Sequence, residues 1–387
     1  MTRTLFLTAH PAFPPVTGAD LRNWQNASAA AGLGEVLLVS LIAGGEGPTS
    51  VPNLATRHLG ADAAKLYQLD PQQTSIDLGI DDAMLGKLAK VLAEFRPDLV
   101  VVEHLGLHPF LDLLQESGAR LVLDLHNVES DLANQIARRR DWFGVKRRRD
   151  ARAIAAIEAR VAAAVDGIWA CSEEDAGRLA ERGLGPAHVV PNGLPRADLA
   201  PRQLPAEPGA VGPELLFVGH LGYTPNVRAS ETLARKILPK LRSALPEVRL
   251  TLAGRQPARR VRRLAAPDIR IVANPDDLTP LLRAAHMAVV PLRSGGGTRF
   301  KIVEAMAWGL PVVATPLAAE GLGLRHGHDI ILAESDRALA AEILRLWRDR
   351  TLREELRARG HATAWRRFGP DPIQDAVVSA LKAVSQT

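Results

Sequence analysis

The strongest constraint on this chain is a pattern that it runs through twice. Short runs apolar at nearly every position (TLFLTAH, GEVLLVSLI, DLVVVEH, LVLDLHN, GIWACS and HVVPNG) alternate with helix-like stretches such as residues 19–31 and 84–95. Such runs suit strands buried on both faces of a parallel sheet, with helices as crossovers. The alternation then restarts with ELLFVGH, VRLTLAG, IRIVAN, MAVVPL, LPVVAT and IILA, interleaved with helix-like residues 227–245 and 278–285. Between the two halves, PRADLAPRQLPAEPGAVGP carries five prolines and no periodicity, so it can be neither helix nor central strand. The expectation is an α/β protein of two Rossmann-like, doubly wound domains, 1–195 and 214–368, with 196–213 as the linker. Residues 369–387, amphipathic after the break at Gly369 and Pro370, are expected to form a last helix that packs back on the first domain. Open α/β sheets bind ligands at the carboxyl ends of their strands, so two such edges brought together would make one deep cleft.

Composition narrows the class. With 47% hydrophobic and 24% charged residues, the chain has the balance of a soluble globular protein. TLFLTA is too short, before His10, Pro11 and Pro14, for a signal-peptide core or membrane span, so a cytoplasmic location is expected. A single cysteine, Cys171, excludes an internal disulfide and a cysteine-cluster metal site. Aromatic residues, at 4%, are too sparse for base-stacking platforms, and no nucleic-acid-binding motif is present. The basic run from Arg138 to Arg149 reads either as a solvated helical face or as a surface for anionic lipid or a polyanionic acceptor. The second reading adds a peripheral position at the inner face of the membrane.

SGGGTRFKIVEAMAWGLPVVAT, residues 294–315, is the richest in chemistry. Gly295, Gly296 and Gly297 let a backbone approach a ligand closely, and a following helix start offers free N–H groups and about half a unit of positive charge. The spacing matches neither the dinucleotide fingerprint nor the nucleoside-triphosphate loop. If a helix starts at Thr298, positions 298, 301 and 304 share a face. Thr298 would cap, the glycine amides with Lys301 or Arg299 would meet phosphates, and Glu304 would accept ribose hydroxyls. A surface helix with an ordinary Lys–Glu pair after a glycine turn would read the same from this stretch alone.

That stretch, together with FVGHLGYTPN (217–226), VVPNG (189–193) and LDLHNVESD (123–131), resembles the retaining glycosyltransferases of family four, which have the GT-B fold. The resemblance implies transfer of a sugar from a nucleotide-sugar donor to a hydroxyl of a glycan, lipid-linked or small-molecule acceptor, with no metal and no cofactor. It implies that Glu304 holds the donor ribose and that His126 faces the donor sugar. Gly18 and Gly219 lie in glycine turns beside the donor, and the turn beginning at Asn274 reads the base. Asn192 and Gly193 read as a turn with glycine at positive φ rather than as ligand contacts. Glu129 and Asp131 imitate a metal-binding pair but sit where a helix start attracts acids anyway. The chain departs from the family at Gly296, where a sugar-reading glutamate is usual, and at His220 and Asn226, where an arginine and a lysine usually meet the diphosphate. Phosphate charge therefore falls on Arg299, Lys301, the glycine amides and Arg228. A nucleotide-sugar 2-epimerase and a catalytically silent nucleotide-sugar-binding partner are the alternatives for such an architecture.

Overall fold

The computed structural model describes the chain except for Met1, Val16, residues 69–72, 138–143, Arg196, Pro208, Ala210, Val211, 295–298 and Thr387. It divides into two compact units, Met1–Gly193 with Pro370–Thr387, and Leu194–Gly369.

The first unit holds eight strands: β1 (Thr4–Thr8), β2 (Val36–Ile42), β3 (Gly47–Pro48), β4 (Leu54–Ala61), β5 (Leu99–Val102), β6 (Arg120–Leu125), β7 (Gly167–Ala170) and β8 (Ala187–Val189). Their order in the sheet is β3-β4-β2-β1-β5-β6-β7-β8, with all pairs parallel except β3 and β4. The apolar runs fill both faces. Leu5, Leu7, Val100, Val102, Leu121 and Leu123 enter one core, while Phe6, Val101, Val122 and Trp169 enter another. β4 is absent from the sequence reading because LATRHLGA is only half-buried, with nothing beyond it but the two-residue β3. Its polar side chains hide the strand.

The second core is closed by the helix Pro370–Gln386. Ile373, Val377, Ala380, Leu381 and Val384 join Phe6, Val101 and Trp169, so the end of the chain is built into the first unit. A Cβ on Gly167 would lie 2.6 Å from a methyl of Val384, so the helix is seated closely on the sheet.

The second unit holds β9 (Glu214–Val218), β10 (Arg249–Gly254), β11 (Ile269–Ala273), β12 (Met287–Val290), β13 (Val312–Ala314) and β14 (Ile331–Leu332). They form one parallel sheet in the order β11-β10-β9-β12-β13-β14. This is the doubly wound order whose direction of winding reverses between β9 and β12, where the strand ends leave a crevice.

Two local expectations are corrected here. The helix expected over 227–245 is interrupted. Thr224–Thr232 is followed by a π-type turn, Leu233–Ile237, before Leu238–Arg242. Pro239 has no N–H to donate and its ring clashes with the preceding turn, which the wider turn absorbs. The helix after the glycines runs Phe300–Ala307, starting at Phe300 rather than Thr298, because Arg299 has φ −90° and ψ 76°, outside the helical region, and serves as its N-cap. The proline-rich segment runs along the second unit. The Pro201 carbonyl accepts from His361 Nε2 and Trp365 Nε1, both at 2.9 Å, and the Pro205 carbonyl accepts from Arg357 Nη2 at 2.6 Å.

Candidate functional site

In the first unit, the winding reverses between β1 and β5, and the chemistry collects at the carboxyl ends of β1, β5 and β6. Gly18 opens the helix Gly18–Ala30 that follows β1, after a capping box in which Thr17 and Asp20 exchange backbone-to-side-chain hydrogen bonds of 3.2 and 2.7 Å. Glu103 and His104 follow β5, and His126 follows β6. The buried Nε2 of His126 lies 3.5 Å from Glu103 Oε1 without a hydrogen bond. Burial pushes the Glu103 carboxyl up to about 7, against hydrogen bonds from Asn23 and from the Ala9 N–H. Burial, then the charges of Arg22 and His104, hold the His126 imidazole well below its ordinary value. A proton arriving near neutral pH therefore settles on the carboxyl and leaves the ring neutral.

A second pair flanks the first. His104 Nε2 is 3.8 Å from Glu129 Oε1; burial takes the ring down to about 4 and the carboxyl up to about 7. Close to the first pair lies a buried ion pair. Arg22 reaches Asp124 through Nε at 3.1 and 3.0 Å and through Nη2 at 2.5 Å, and also donates to the Val190 carbonyl at 2.6 Å and Asn192 Oδ1 at 3.0 Å. Asn192 is thus part of the scaffold under His126. Gly193 does not have positive φ, contrary to the turn expected for it. Its lack of a side chain serves a close approach, since a Cβ there would lie 2.5 Å from Gln25 Oε1.

In the second unit, Gly219 directly follows β9, and Lys301 and Glu304 stand on the helix Phe300–Ala307 that follows β12. Lys301 Nζ donates to Asn226 Oδ1 at 2.7 Å and sits 4.5 Å from the centre of the Phe217 ring. Burial, with the charge of Arg299, lowers the Lys301 ammonium to about 7. Gly219 makes room for it: a Cβ there would meet Lys301 Nζ at 2.7 Å and Asn226 Nδ2 at 2.9 Å. Gly254, at φ +145°, lets β10 close on the Gly219 carbonyl, which a Cβ would strike at 1.7 Å. Arg299 and Glu304 are both buried. Asn274 has φ +48°, and its Oδ1 accepts from the Gln256 N–H at 2.7 Å, so its side chain is engaged in the turn.

The structure thus brings Gly219, Arg299, Lys301 and Glu304 into one region of the second unit, and places Gly18 and His126 at the carboxyl edge of the first sheet. Gly295, Gly296, Gly297 and Thr298 lie outside the described residues, as does the 138–143 part of the basic run. Glu103 was missed from sequence; the signal was an acid directly after the four apolar residues of DLVVVEH. A cavity of about 480 Å³ at the opposite, amino-terminal edge of the second sheet, lined by Glu214, Thr251, Asp268 and His286, holds none of the expected residues. Among the described residues no group of three or more His, Cys, Asp or Glu is placed to hold a metal ion.

Residues 18–193 match the Glycosyl transferase 4-like domain, and residues 212–349 match Glycosyl transferases group 1. The chain belongs to the group 1 glycosyltransferases. The phosphatidyl-myo-inositol mannosyltransferase of Mycobacterium leprae is 28% identical over 203 residues, 51% of this chain and 53% of that protein. An uncharacterized 44.6 kDa protein in the cps region of Klebsiella pneumoniae is 24% identical over 139 residues, 34% of this chain and 36% of that one. The match thus spans about a third to a half of the length of these curated relatives. In fold, the glycosyltransferase resembles the sucrose-phosphate synthase of Thermosynechococcus elongatus (TM-score 0.72, 18% identity, 99% of each chain). It also resembles Anabaena HepE in complex with UDP-glucose (TM-score 0.69, 16% identity, 99% of this chain and 100% of that one). The fold is GT-B.

Proposed function

We propose that this glycosyltransferase moves a sugar from a nucleoside-diphosphate sugar to an acceptor hydroxyl, with retention at the anomeric carbon and without a metal or cofactor. The observation that carries the reading is the buried Lys301 ammonium, whose described neighbours are a neutral amide oxygen, an aromatic face and the repelling Arg299. Such a cation is completed by an anion, and a diphosphate at the end of β9 is one of the right size and place. Nucleotide sugars are bound by relatives of this fold, including HepE with UDP-glucose. Arg299 and Lys301 stabilise charge growing on the departing diphosphate, and Glu304 accepts the ribose hydroxyls. His126 keeps the role that the resemblance implies, contact with the donor sugar. The two carboxyl–imidazole pairs of the first unit are polar yet low in charge near neutral pH, which suits a ligand rich in hydroxyls.

The test is a thermal-shift screen of nucleoside diphosphates and nucleotide sugars, since a bound ligand stabilises the fold whatever the acceptor. Glu304→Ala is expected to weaken the nucleotide found by about 2 kcal/mol, roughly thirtyfold in Kd, because hydrogen bonds to a charged acceptor are lost. An unchanged Kd would remove the ribose role.

The acceptor side carries a membrane component in this reading. No helix among the described residues is long and apolar enough to cross a bilayer. Lys146, Arg148 and Arg149 are exposed at the start of the helix Gly144–Ala164, the described part of the basic run. Flotation with vesicles containing anionic phosphatidylserine is expected, and Lys146→Glu/Arg148→Glu/Arg149→Glu is expected to abolish it; equal flotation of both proteins would end the membrane assignment.

A further inference from the structure

We propose that Asn226 is the positioning residue of the diphosphate site: its neutral amide fixes the Lys301 ammonium while leaving its charge for the ligand. The inference rests on the reading of Lys301 as the diphosphate cation and adds to it a residue and a reason for that residue's type. Asn226 is 7% exposed, in the first turn of the helix Thr224–Thr232. Its Oδ1 accepts from Lys301 Nζ at 2.7 Å, and its Nδ2 donates to the His220 carbonyl at 3.0 Å. An ammonium can only donate and a carbonyl can only accept, so the amide is held in one orientation from both sides.

The lysine stem is long and would otherwise sample many rotamers, an entropy that is lost when a ligand fixes it. Asn226 on one side, the Phe217 face on another and the bare backbone of Gly219 on a third settle that geometry before a ligand arrives. A carboxylate at 226 would hold the ammonium equally close. It would also neutralise it, and a dianionic phosphate would then meet a negative group within hydrogen-bond range of its own cation. Arg299 is the charged neighbour that acts on Lys301, and it too is drawn toward an added carboxylate.

The experiment measures binding of UDP, GDP, ADP and TDP by calorimetry at pH 7 and 8, in the full chain and in three variants. Lys301→Met tests the underlying reading: if it binds the preferred nucleotide as tightly as the wild type, Lys301 is not the diphosphate cation and both readings fall, as they do if the wild type binds none of the four. With that loss established, Asn226→Asp is expected to weaken binding at least tenfold at pH 7. Its affinity is also expected to change less between pH 7 and 8 than that of the wild type, because the added carboxylate keeps Lys301 protonated. Asn226→Ala is expected to lose about fivefold in affinity while keeping the pH dependence of the wild type, a pattern that a purely structural amide would not give. Wild-type affinity and pH response in both Asn226 variants, with Lys301→Met impaired, would overturn the role of Asn226 and leave that of Lys301 standing. Far-ultraviolet circular dichroism establishes that each variant is folded, and Asn226→Ala alone decides the positioning role if the aspartate variant is not.

Discussion

Replacing Asp124 by alanine is expected to destabilise the first unit by about 3–5 kcal/mol, the range found when one partner of a buried ion pair is removed. Arg22 and Asp124 are each 1% exposed, and three of the guanidinium contacts end on that carboxylate. Burial alone would lower the Arg22 pKa, but Asp124 and the neighbouring groups outweigh it and hold it above its ordinary value. An arginine does not escape by losing its proton, so without Asp124 a full charge stays buried against the Val190 carbonyl and Asn192 Oδ1, both neutral. Asn26 Nδ2 would lose its acceptor as well. Urea unfolding followed by circular dichroism checks the figure, with the slope unchanged if only stability is altered. A loss below about 1 kcal/mol would mean that water reaches Arg22, contrary to its burial. The double variant Arg22→Met/Asp124→Leu is expected to recover most of the loss, because an apolar pair of similar volume removes the charge that needs compensation. What the ion pair secures is placement: it ties the helix Gly18–Ala30 and the turn at Asn192 to the end of β6, directly before His126.

That ion pair also marks the limit of what the sequence could reveal. Its partners stand 102 residues apart, and although Asp124 lies in the LDLHNVESD stretch, nothing in the sequence pairs it with Arg22. The parallel strands were legible because burial on both faces forces apolar residues at nearly every position, a condition that β4 escapes at the sheet edge. Lys301 and Glu304 stand out in the sequence because their spacing and their company in the glycine-to-proline stretch are unusual together. Glu103 was not, since a single acid after an apolar run is common, and only the juxtaposition of β5 and β6 puts it near His126. The helix start was misplaced by two residues because a glycine-rich approach carries no strong capping signal of its own. The π-type turn could have been read from Pro239, well inside the helix expected over 227–245.

Lys301→Met is expected to lower kcat/KM for donor turnover by about 100- to 1,000-fold, the scale seen when a preorganised group facing developing charge is removed. The group is strong because of where it sits. A buried ammonium lies in a medium of low effective dielectric, already oriented by Asn226 and Phe217, so in the proposed role little reorganisation would remain as the leaving diphosphate gains charge. The same burial sets a pH dependence whose sign is fixed. In the free protein Lys301 is lowered to about 7, so its charged form dominates below that value and is lost as pH rises through it. Because kcat/KM reports the free enzyme, it is expected to fall above about pH 7. A bound diphosphate restores the charged form, so binding at pH 8 should take up a proton, measurable as a dependence of the calorimetric enthalpy on the ionisation enthalpy of the buffer. Lys301→Arg keeps a permanent charge and is expected to lose both the alkaline fall and the proton uptake, even where its different shape lowers the rate. An alkaline limb that persisted unchanged in Lys301→Arg would assign it to another group, and Glu103 beside His126 would then be the place to look.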